Sequence, residues 1–570
     1  MLNNATSNEF DLFDNNLGYT SITDIKLGES LNQVFQRHDT LLSSKDDEII
    51  NDSLAAAIAL TTAGLGQPDD TLTQPSPLID ALTPSTHSPI HPSTGITGDA
   101  LTGLAPGQAW VGGAEGAIAV FQQDHLNGMG TMGGLTGQTL STNTTSGQWY
   151  IVEGSLEADW FTADYRYAYN VFSGNGNVYF GDGYLDTLDL RNLQYSQVVN
   201  YTLTPVNTGD GARMLDTVQL SNGGYIFFEG IDRVMFADRT LNLSVTPNDP
   251  YFNQQWNLHM MGVHNAWRFT QGTDDVLVGV QDTGLGVDAF AGFHWDLDAD
   301  ETFSYSNNIG DDFFRNVPGD RFGPRDNSHG TAVQGIIAAE SNNSVGISGI
   351  NWESDVFAID VLGANAGDQT LAEATANMID FARSRGQRLV INMSLGGGGL
   401  DPALEQLVAS SQQDTLFIIS AGNENLGRLS NPASLASRYS NVVAVGASWG
   451  TETETGVPVS PGTRISYNGG WGSNYGYGLS LMGPSEVLTT DATPNGFTFD
   501  SKFSGTSAAA PNVAGVASLV WSTNRNLSAT SVKNILMETA YDLGAQGYDT
   551  VYGSGFVNAD AAVRRAMALA

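Results

Sequence analysis

The sequence contains no cysteine. Disulfides, thiolate nucleophiles and cysteine-ligated zinc or iron–sulfur centres are therefore excluded. Basic residues are scarce, 23 Lys and Arg against 61 Asp and Glu, for a formal net charge of −38. That imbalance argues against nucleic acid and anionic lipid as partners, because like charges repel. Long apolar runs are missing as well. The longest, Ser53 to Gly64, falls short of the roughly 18 residues that a membrane span needs, so no span is expected. Residues 1–20 are acidic and polar, without the basic start and apolar core of a standard secretory signal. A chain without disulfides needs another source of stability, and a cation that binds only the folded state supplies one. The acidic excess leaves two readings open: solubility in salty or extracellular surroundings, or carboxylate and carbonyl oxygens gathered around calcium.

What is present divides the chain into regions. At 570 residues and 41% hydrophobic content, it is too long for a single core and predicts two or three domains. Residues 1–105 read as a flexible N-terminal segment. They contain two weak helical stretches (Leu31 to Leu42, Glu48 to Thr62) and a Pro-, Ser- and Thr-rich linker from Gln67 to Thr97 that can bury little. Residues 106–247 are rich in Gly and aromatics with period-two alternation, as in Gly176 to Leu190 and Gly224 to Leu243, which predicts a small β-rich domain. Within it, Gly181-Asp182-Gly183, Asp186 and Asp189 resemble a degenerate fragment of calcium-binding β-roll repeats, as does the run from Glu229 to Asp238. No nonapeptide recurs in tandem, so ordinary hairpin turns remain the competing reading.

From Asn248 the pattern becomes α/β. Continuous apolar runs (Asp275 to Gln281, Asp355 to Val361, Arg388 to Ser394, Thr415 to Ser420, Asn441 to Val445) alternate with helical segments (Thr370 to Arg385, Pro402 to Gln412, Ser507 to about Trp521). Such alternation predicts a parallel sheet flanked by helices, with the active site beyond the carboxyl ends of the strands.

Three motifs carry chemistry: Gln281-Asp282-Thr283-Gly284, Ser328-His329-Gly330-Thr331 and Ser504-Gly505-Thr506-Ser507-Ala508-Ala509-Ala510-Pro511. They place an Asp, a His and a Ser beside glycines at expected strand ends and helix starts. A Ser hydroxyl is inert without a base in hydrogen-bond reach, and the base needs a group to fix its tautomer. Asp282, His329 and Ser507 supply those parts, in one of the chain orders known for such a triad. Pro511 is expected in the first turn of the helix that Ser507 opens, where a missing N–H costs little. A fourth motif, Ser420-Ala421-Gly422-Asn423-Glu424, follows an apolar strand and offers the Asn423 amide as an oxyanion donor.

On these motifs the segment from about Asn248 to Ala570 resembles the subtilisin-like serine protease family. The resemblance implies that Asp282, His329 and Ser507 are the triad and that Asn423 lines the oxyanion hole. It further implies that Ser394, Leu395, Gly396 and Gly397 form a strand that pairs with extended substrate, and that Glu424 sits at the rim of the specificity pocket. Asn342-Asn343-Ser344-Val345-Gly346-Ile347 resembles the family's calcium loop, which implies Asn343, the carbonyls of Ser341, Val345 and Ile347, and Asp296 as ligands. The close, Tyr552 to Ala559, is also similar to the family's. Ala508 stands where the family usually has Met, a variant seen in the kexin-like branch, which Asp249-Pro250-Tyr251-Phe252-Asn253-Gln254-Gln255-Trp256 also resembles. The acidic residues that select basic side chains are missing after Asn423, so a dibasic-cleaving convertase is not expected. Asp296, Asp298, Asp300 and Glu301 leave a second calcium site and a solvated acidic loop both open.

The combined expectation is a monomeric, calcium-stabilised serine endopeptidase of residues 248–570, acting on protein or peptide substrates outside the cell. The residues ahead of Asn248 are expected to be a pro-region or an accessory domain; in a zymogen the N-terminal part would be removed near Leu243 to Asn248. Two alternatives are a catalytically dead, calcium-dependent binding protein and a dedicated processing protease with a single protein substrate.

Overall fold

The computed structural model describes residues 133–134, 149–179, 184–207, 211–286, 294–297, 302–305, 328–362, 369–467, 470–493 and 496–570. All of them fall within one compact unit, Thr86–Ala570. The expectations for residues 1–105, Gly181-Asp182-Gly183, Asp298, Asp300 and Glu301 lie outside the described residues.

The β-rich region is built by stacking, not by hairpins alone. Its strands are β1 (Gly133–Gly134), β2 (Trp149–Glu153), β3 (Asp159–Thr162), β4 (Tyr169–Ser173), β5 (Thr187–Leu190), β6 (Val198–Asn207), β7 (Ala212–Leu220), β8 (Tyr225–Glu229), β9 (Arg233–Phe236) and β10 (Thr240–Asn242). They form two five-stranded sheets, ordered β1-β3-β5-β9-β10 and β2-β4-β8-β7-β6. The pairs β2 with β4, β4 with β8, β3 with β5 and β5 with β9 are all parallel. Each successive coil of chain therefore gives one strand to each sheet, making a short β-solenoid into which the antiparallel β6–β7 pair is inserted. Alternate side chains point inward. Phe161, Phe172, Leu188, Leu190, Ile226, Phe228 and Val234 fill the space between the sheets, and full burial of each contributes about 1.5–3 kcal/mol before entropy is counted.

The corners explain the Gly and Asp content. A Cβ on Gly174 would lie 2.0 Å from the Gly230 carbonyl oxygen of the next coil, so only glycine lets the coils stack. Asp159, Asp186 and Asp232 stack behind these glycines. The Asp159 N–H donates to Asp186 Oδ1 at 2.7 Å and the Asp186 N–H to Asp232 Oδ2 at 3.0 Å. Asp186 and Asp232 thus each satisfy a buried corner amide of the coil before, while Asp159 accepts the Ser155 N–H of its own coil. Burial pushes Asp159 up to about 6 and Asp186 well above the usual carboxylate range. Asp189, by contrast, lies nearer the surface and pairs with Arg191 at 2.7 Å.

Two short helices follow, α1 (Trp256–Met260) and α2 (Val263–Ala266). The rest is a seven-stranded, wholly parallel sheet. Its strands are β11 (Val276–Asp282), β12 (Thr302–Tyr305), β13 (Val356–Asp360), β14 (Arg388–Met393), β15 (Thr415–Ser420), β16 (Val442–Ser448) and β17 (Leu481–Pro484), in the order β12-β13-β11-β14-β15-β16-β17. Helices α3 (Ser328–Ala338), α4 (Leu371–Arg385) and α5 (Pro402–Ser410) connect strands. A hairpin, β18 (Val487–Thr493) and β19 (Gly496–Phe503), leads into α6 (Thr506–Thr523), followed by α7 (Ala529–Glu538) and α8 (Ala559–Met567). Every residue of β11 is buried, as a strand covered on both faces requires. From β11 the chain runs first to one side (β12, β13) and then to the other (β14 onward). Asp282 therefore ends a strand at the switch point of the sheet, where open α/β sheets place their ligand crevice.

Candidate active site

Asp282 is the last residue of β11, and Gly284 turns the chain with a φ of 73°. The turn is packed directly against the start of α3. A Cβ on Gly330 would lie 2.1 Å from the Gly284 carbonyl oxygen, and the Gly330 N–H donates to Thr283 Oγ1 at 3.0 Å. The glycine after His329 is thus what lets the histidine's helix approach the aspartate's strand. From the other side, Thr489 and Thr490 of β18 donate to the carbonyls of Ala332 and Thr331 at 2.6 and 2.8 Å. A Cβ on Gly335 would collide with Thr490 Oγ1 at 2.1 Å.

Held this way, His329 Nδ1 lies 2.6 Å from Asp282 Oδ1. The Thr283 N–H donates to the same oxygen at 2.8 Å, while the buried Oδ2 has no donor among the described residues. A carboxylate only accepts, so Nδ1 carries the proton and Nε2 presents its lone pair outward. Burial disfavours the imidazolium, but the Asp282 charge and hydrogen bond outweigh it, and the His329 pKa is raised from its ordinary value. The Phe503 ring meets the imidazole edge-on, with centroids 5.1 Å apart.

Ser507 is the second residue of α6, capped by Gly505 at φ 82°. Its hydroxyl donates to the Ser394 carbonyl at 3.2 Å, and Ser394 Oγ donates back to the Ser507 carbonyl at 2.8 Å. The Ser507–His329 hydrogen bond is not formed in this arrangement; such bonds often tighten only with substrate in place. The Ser394 contact corrects the expectation for Pro511, which is the sixth residue of α6 and lies inside the helix. Without an N–H, Pro511 cannot bond the carbonyl four residues back, which is that of Ser507. The freed carbonyl is the one that Ser394 takes.

Asn423 follows β15. Its Oδ1 accepts the Thr506 N–H and the Thr506 hydroxyl, both at 2.9 Å. Because a backbone N–H only donates, the amide oxygen must face Thr506, and the Nδ2 group is turned away from it. Gly505 leaves the room: a Cβ there would sit 3.1 Å from Asn423 Nδ2. The Ser507 N–H belongs to the first turn of α6, whose amides lack helical acceptors, and it meets no acceptor among the described residues. The Asn423 Nδ2 group and the Ser507 N–H are therefore two donors with no acceptor among the described residues.

The segment expected to pair with substrate, Ser394 to Gly397, is not a strand in this structure; β14 stops at Met393. Part of its backbone is already engaged. The Ser420 hydroxyl donates to the Leu395 carbonyl at 3.0 Å, and the Gly397 N–H donates to the Asn431 carbonyl at 2.9 Å. Gly396 and Gly397 are exposed, and nothing lies within 4 Å of a Cβ on Gly397. Glu424 is exposed, and its Oε2 accepts from Asn474 Nδ2 at 2.6 Å and Ser430 Oγ at 3.1 Å.

The loop Ser341 to Ile347 folds around Asp296 and Asp249. Asp296 Oδ2 accepts the Ile347 N–H at 2.9 Å, whereas its buried Oδ1 has no donor among the described residues. Burial pushes Asp296 up to about 8. Asp249 accepts the N–H groups of Asn342 and Asn343 at 2.8 and 3.0 Å and the Ser348 hydroxyl at 2.5 Å. Asn343 Oδ1 accepts the Val345 N–H at 2.7 Å. Among the described residues, the carbonyls of Ser341, Val345 and Ile347 accept no hydrogen bond. All the candidate ligands are hard oxygens, the set that suits calcium. Asp249 and Thr506 were not marked by the sequence reading as site residues. Asp249 opens the Asp249-Pro250 motif and Thr506 precedes Ser507, but only their contacts reveal what they hold.

The subtilase family (Peptidase S8) matches residues 273–555. Subtilisin Savinase of Lederbergia lenta is 36% identical over 249 residues, covering 44% of this chain and 82% of that protein. M-protease of Shouchella clausii is 37% identical over 249 residues, but there the match covers 58% of the relative. An extracellular protease of Xanthomonas campestris pv. campestris is 32% identical over 366 residues, 58% of this chain and 59% of that one. Among solved structures, a protease of Pseudoalteromonas arctica aligns over 56% of this chain and 99% of its own, at 28% identity and a TM-score of 0.44. With Asp, His, Ser and Asn motifs carried on a parallel α/β sheet, this chain belongs to the subtilase family of serine endopeptidases.

Proposed function

We propose that the chain cleaves peptide bonds by acyl transfer, with Ser507 as nucleophile, His329 as general base and then acid, and Asp282 as the group that orients His329. The observation that carries this reading is the 2.6 Å contact between His329 Nδ1 and Asp282 Oδ1. It leaves Nε2 free to take the Ser507 proton once the hydroxyl turns from the Ser394 carbonyl. The proton then goes from His329 to the departing amine, and a water repeats the sequence to release the acyl group. Asn423 Nδ2 and the Ser507 N–H stabilise the oxyanion. The exposed glycines Gly396 and Gly397 receive the substrate chain, and Glu424, held by Asn474 and Ser430, accepts a basic side chain at the pocket rim.

Asp296, Asn343 and the carbonyls of Ser341, Val345 and Ile347, joined by Asp249, would hold a calcium ion. The unpartnered buried Oδ1 of Asp296 supports the fit. The ion would supply charge that keeps Asp296 ionised and the loop fixed. The enzyme works outside the cell and is made as a zymogen in which sequence ahead of the peptidase region restrains the active site. The test is labelling by a fluorophosphonate, with and without calcium chelation, beside Ser507→Ala. Labelling that is lost in Ser507→Ala is the expected result. Labelling that survives it, or no labelling of any processed form, would refute the assignment.

A further inference from the structure

The β-solenoid and the peptidase sheet are joined by a buried ionic clamp. Asp216 of β7 accepts two hydrogen bonds from Arg268, both at 2.9 Å, one from Arg564 at 2.8 Å and one from the Tyr201 hydroxyl at 2.6 Å. Arg564 of α8 also donates to the Met214 carbonyl at 2.8 Å and to Asp560 at 2.7 Å. Asp560 in turn accepts the Gly230 N–H of the solenoid corner at 2.8 Å. Asp216, Arg564 and Asp560 are 0%, 1% and 2% exposed. Burial alone would raise the Asp216 pKa, yet the two guanidinium groups hold it well below the usual carboxylate range.

A second seam runs beside the clamp. Asp232, from the carboxyl stack of the solenoid, accepts from His264 Nε2 at 2.8 Å and from Asn265 Nδ2 at 3.1 Å. A Cβ on Gly176 would lie 2.7 Å from the Met260 carbonyl oxygen, so the two backbones touch. Leu156 and Val178 of the solenoid belong to the same hydrophobic cluster as Trp267 and Val513. The segment between the two parts is not free. Leu243 lies in the solenoid core, and the Val245 N–H donates to the His264 carbonyl at 2.8 Å. The clamp is also remote from Ser507. Asn524 Nδ2, just past the far end of α6, donates to Ala566 of α8 at 3.4 Å, and the 18 residues of α6 span about 27 Å.

We propose that the solenoid, residues 149–243, is a permanent part of the active peptidase and no part of the restraining pro-segment. A cut between Leu243 and Asn248 leaves it bound, because separation would strand Asp216 on one piece and Arg268, Arg564 and Asp560 on the other. Such buried partners are costly to leave alone. The inference rests on the serine-protease reading only where activity is the readout.

Two measurements test it. The full-length chain is allowed to mature, and species labelled by a fluorophosphonate are weighed intact. Labelled species that begin ahead of Trp149, or that retain the 149–243 fragment through native purification, are expected. A labelled species starting after Leu243 without that fragment overturns the proposal. The second arm needs no activity. In a Ser507→Ala chain, a site-specific protease sequence is inserted after Thr246 and cut to completion. Co-elution of the pieces in native gel filtration and separation in urea are expected; separation without denaturant overturns the proposal. Asp216→Ala in the same chain should release the fragment at least tenfold faster, and an unchanged release rate would remove the clamp as the cause of retention.

Discussion

Replacing Thr506 by Val asks how the Asn423 amide, the proposed oxyanion donor, is aimed. Valine keeps the shape and the backbone N–H of Thr506 but deletes its hydroxyl. That hydroxyl donates to Asn423 Oδ1 at 2.9 Å and accepts the Gly422 N–H at 3.2 Å. Asn423 would still be held by the Thr506 N–H, so the amide loses one of its two restraints and not both. One net hydrogen bond is worth about 0.5–1.5 kcal/mol. If that is lost only in the transition state, kcat falls about 2- to 12-fold with KM nearly unchanged. Asn423→Ala, which removes the donor itself, should cost ~10²–10³. The distinguishing assay is a double-mutant cycle on kcat with a peptide substrate. If Thr506 acts through Asn423, the Thr506→Val penalty should nearly vanish in the Asn423→Ala background. Full additivity, or an effect confined to KM, would refute this account of how the amide is aimed.

Because the His329 pKa is raised, the acid limb of kcat/KM should lie above the ordinary histidine value of about 6.5; activity is lost as pH falls through it, and a limb at or below that value contradicts the Asp282 contact. The same pairing stabilises the folded chain at low pH, below the unfolded histidine value, and that contribution disappears as pH rises through the folded one. Calcium chelation should lower the unfolding temperature of a Ser507→Ala chain, and Asp296→Asn should blunt that response; equal responses in both chains would remove Asp296 from the site. Ala508 follows Ser507 in the chain, and a Met in its place carries a thioether that peroxide converts to the polar sulfoxide. Peroxide should therefore inactivate the enzyme more slowly than it does Ala508→Met, and rapid loss mapped to this site contradicts that expectation.

The peptidase half was legible because its chemistry sits in short motifs whose neighbours are dictated by close approach. Gly284, Gly330 and Gly505 occur where a Cβ would strike backbone or where φ is positive, so the motifs record geometry as well as chemistry. The β region was harder to read. Its coils differ in length, Trp149 pairing with Tyr169 but Tyr169 with Tyr225. The inserted β6–β7 pair hides the repeat, so period-two alternation announced β-structure without announcing parallel stacking. Pro511 was misplaced because sequence marks where a helix can tolerate proline, but not where a neighbouring side chain takes over the freed carbonyl. Asp249 and Thr506 act through residues 83 to 99 positions away, a distance that no local pattern encodes.

The ionic clamp has a consequence for the order of assembly. Gly230 and Asp560 are 330 positions apart, and Met214 and Arg564 are 350 apart. Closing a loop of that size from a disordered chain carries an entropy cost of about 5 kcal/mol, on the (3/2)RT ln n scale. No single hydrogen bond offsets that. The contact becomes favourable only once the chain between its ends is ordered, which places the docking of α8 among the last events of folding. Until that helix seats, Asp216 has only its nearer partners Tyr201 and Arg268, and the Gly230 N–H and the Met214 carbonyl lack theirs.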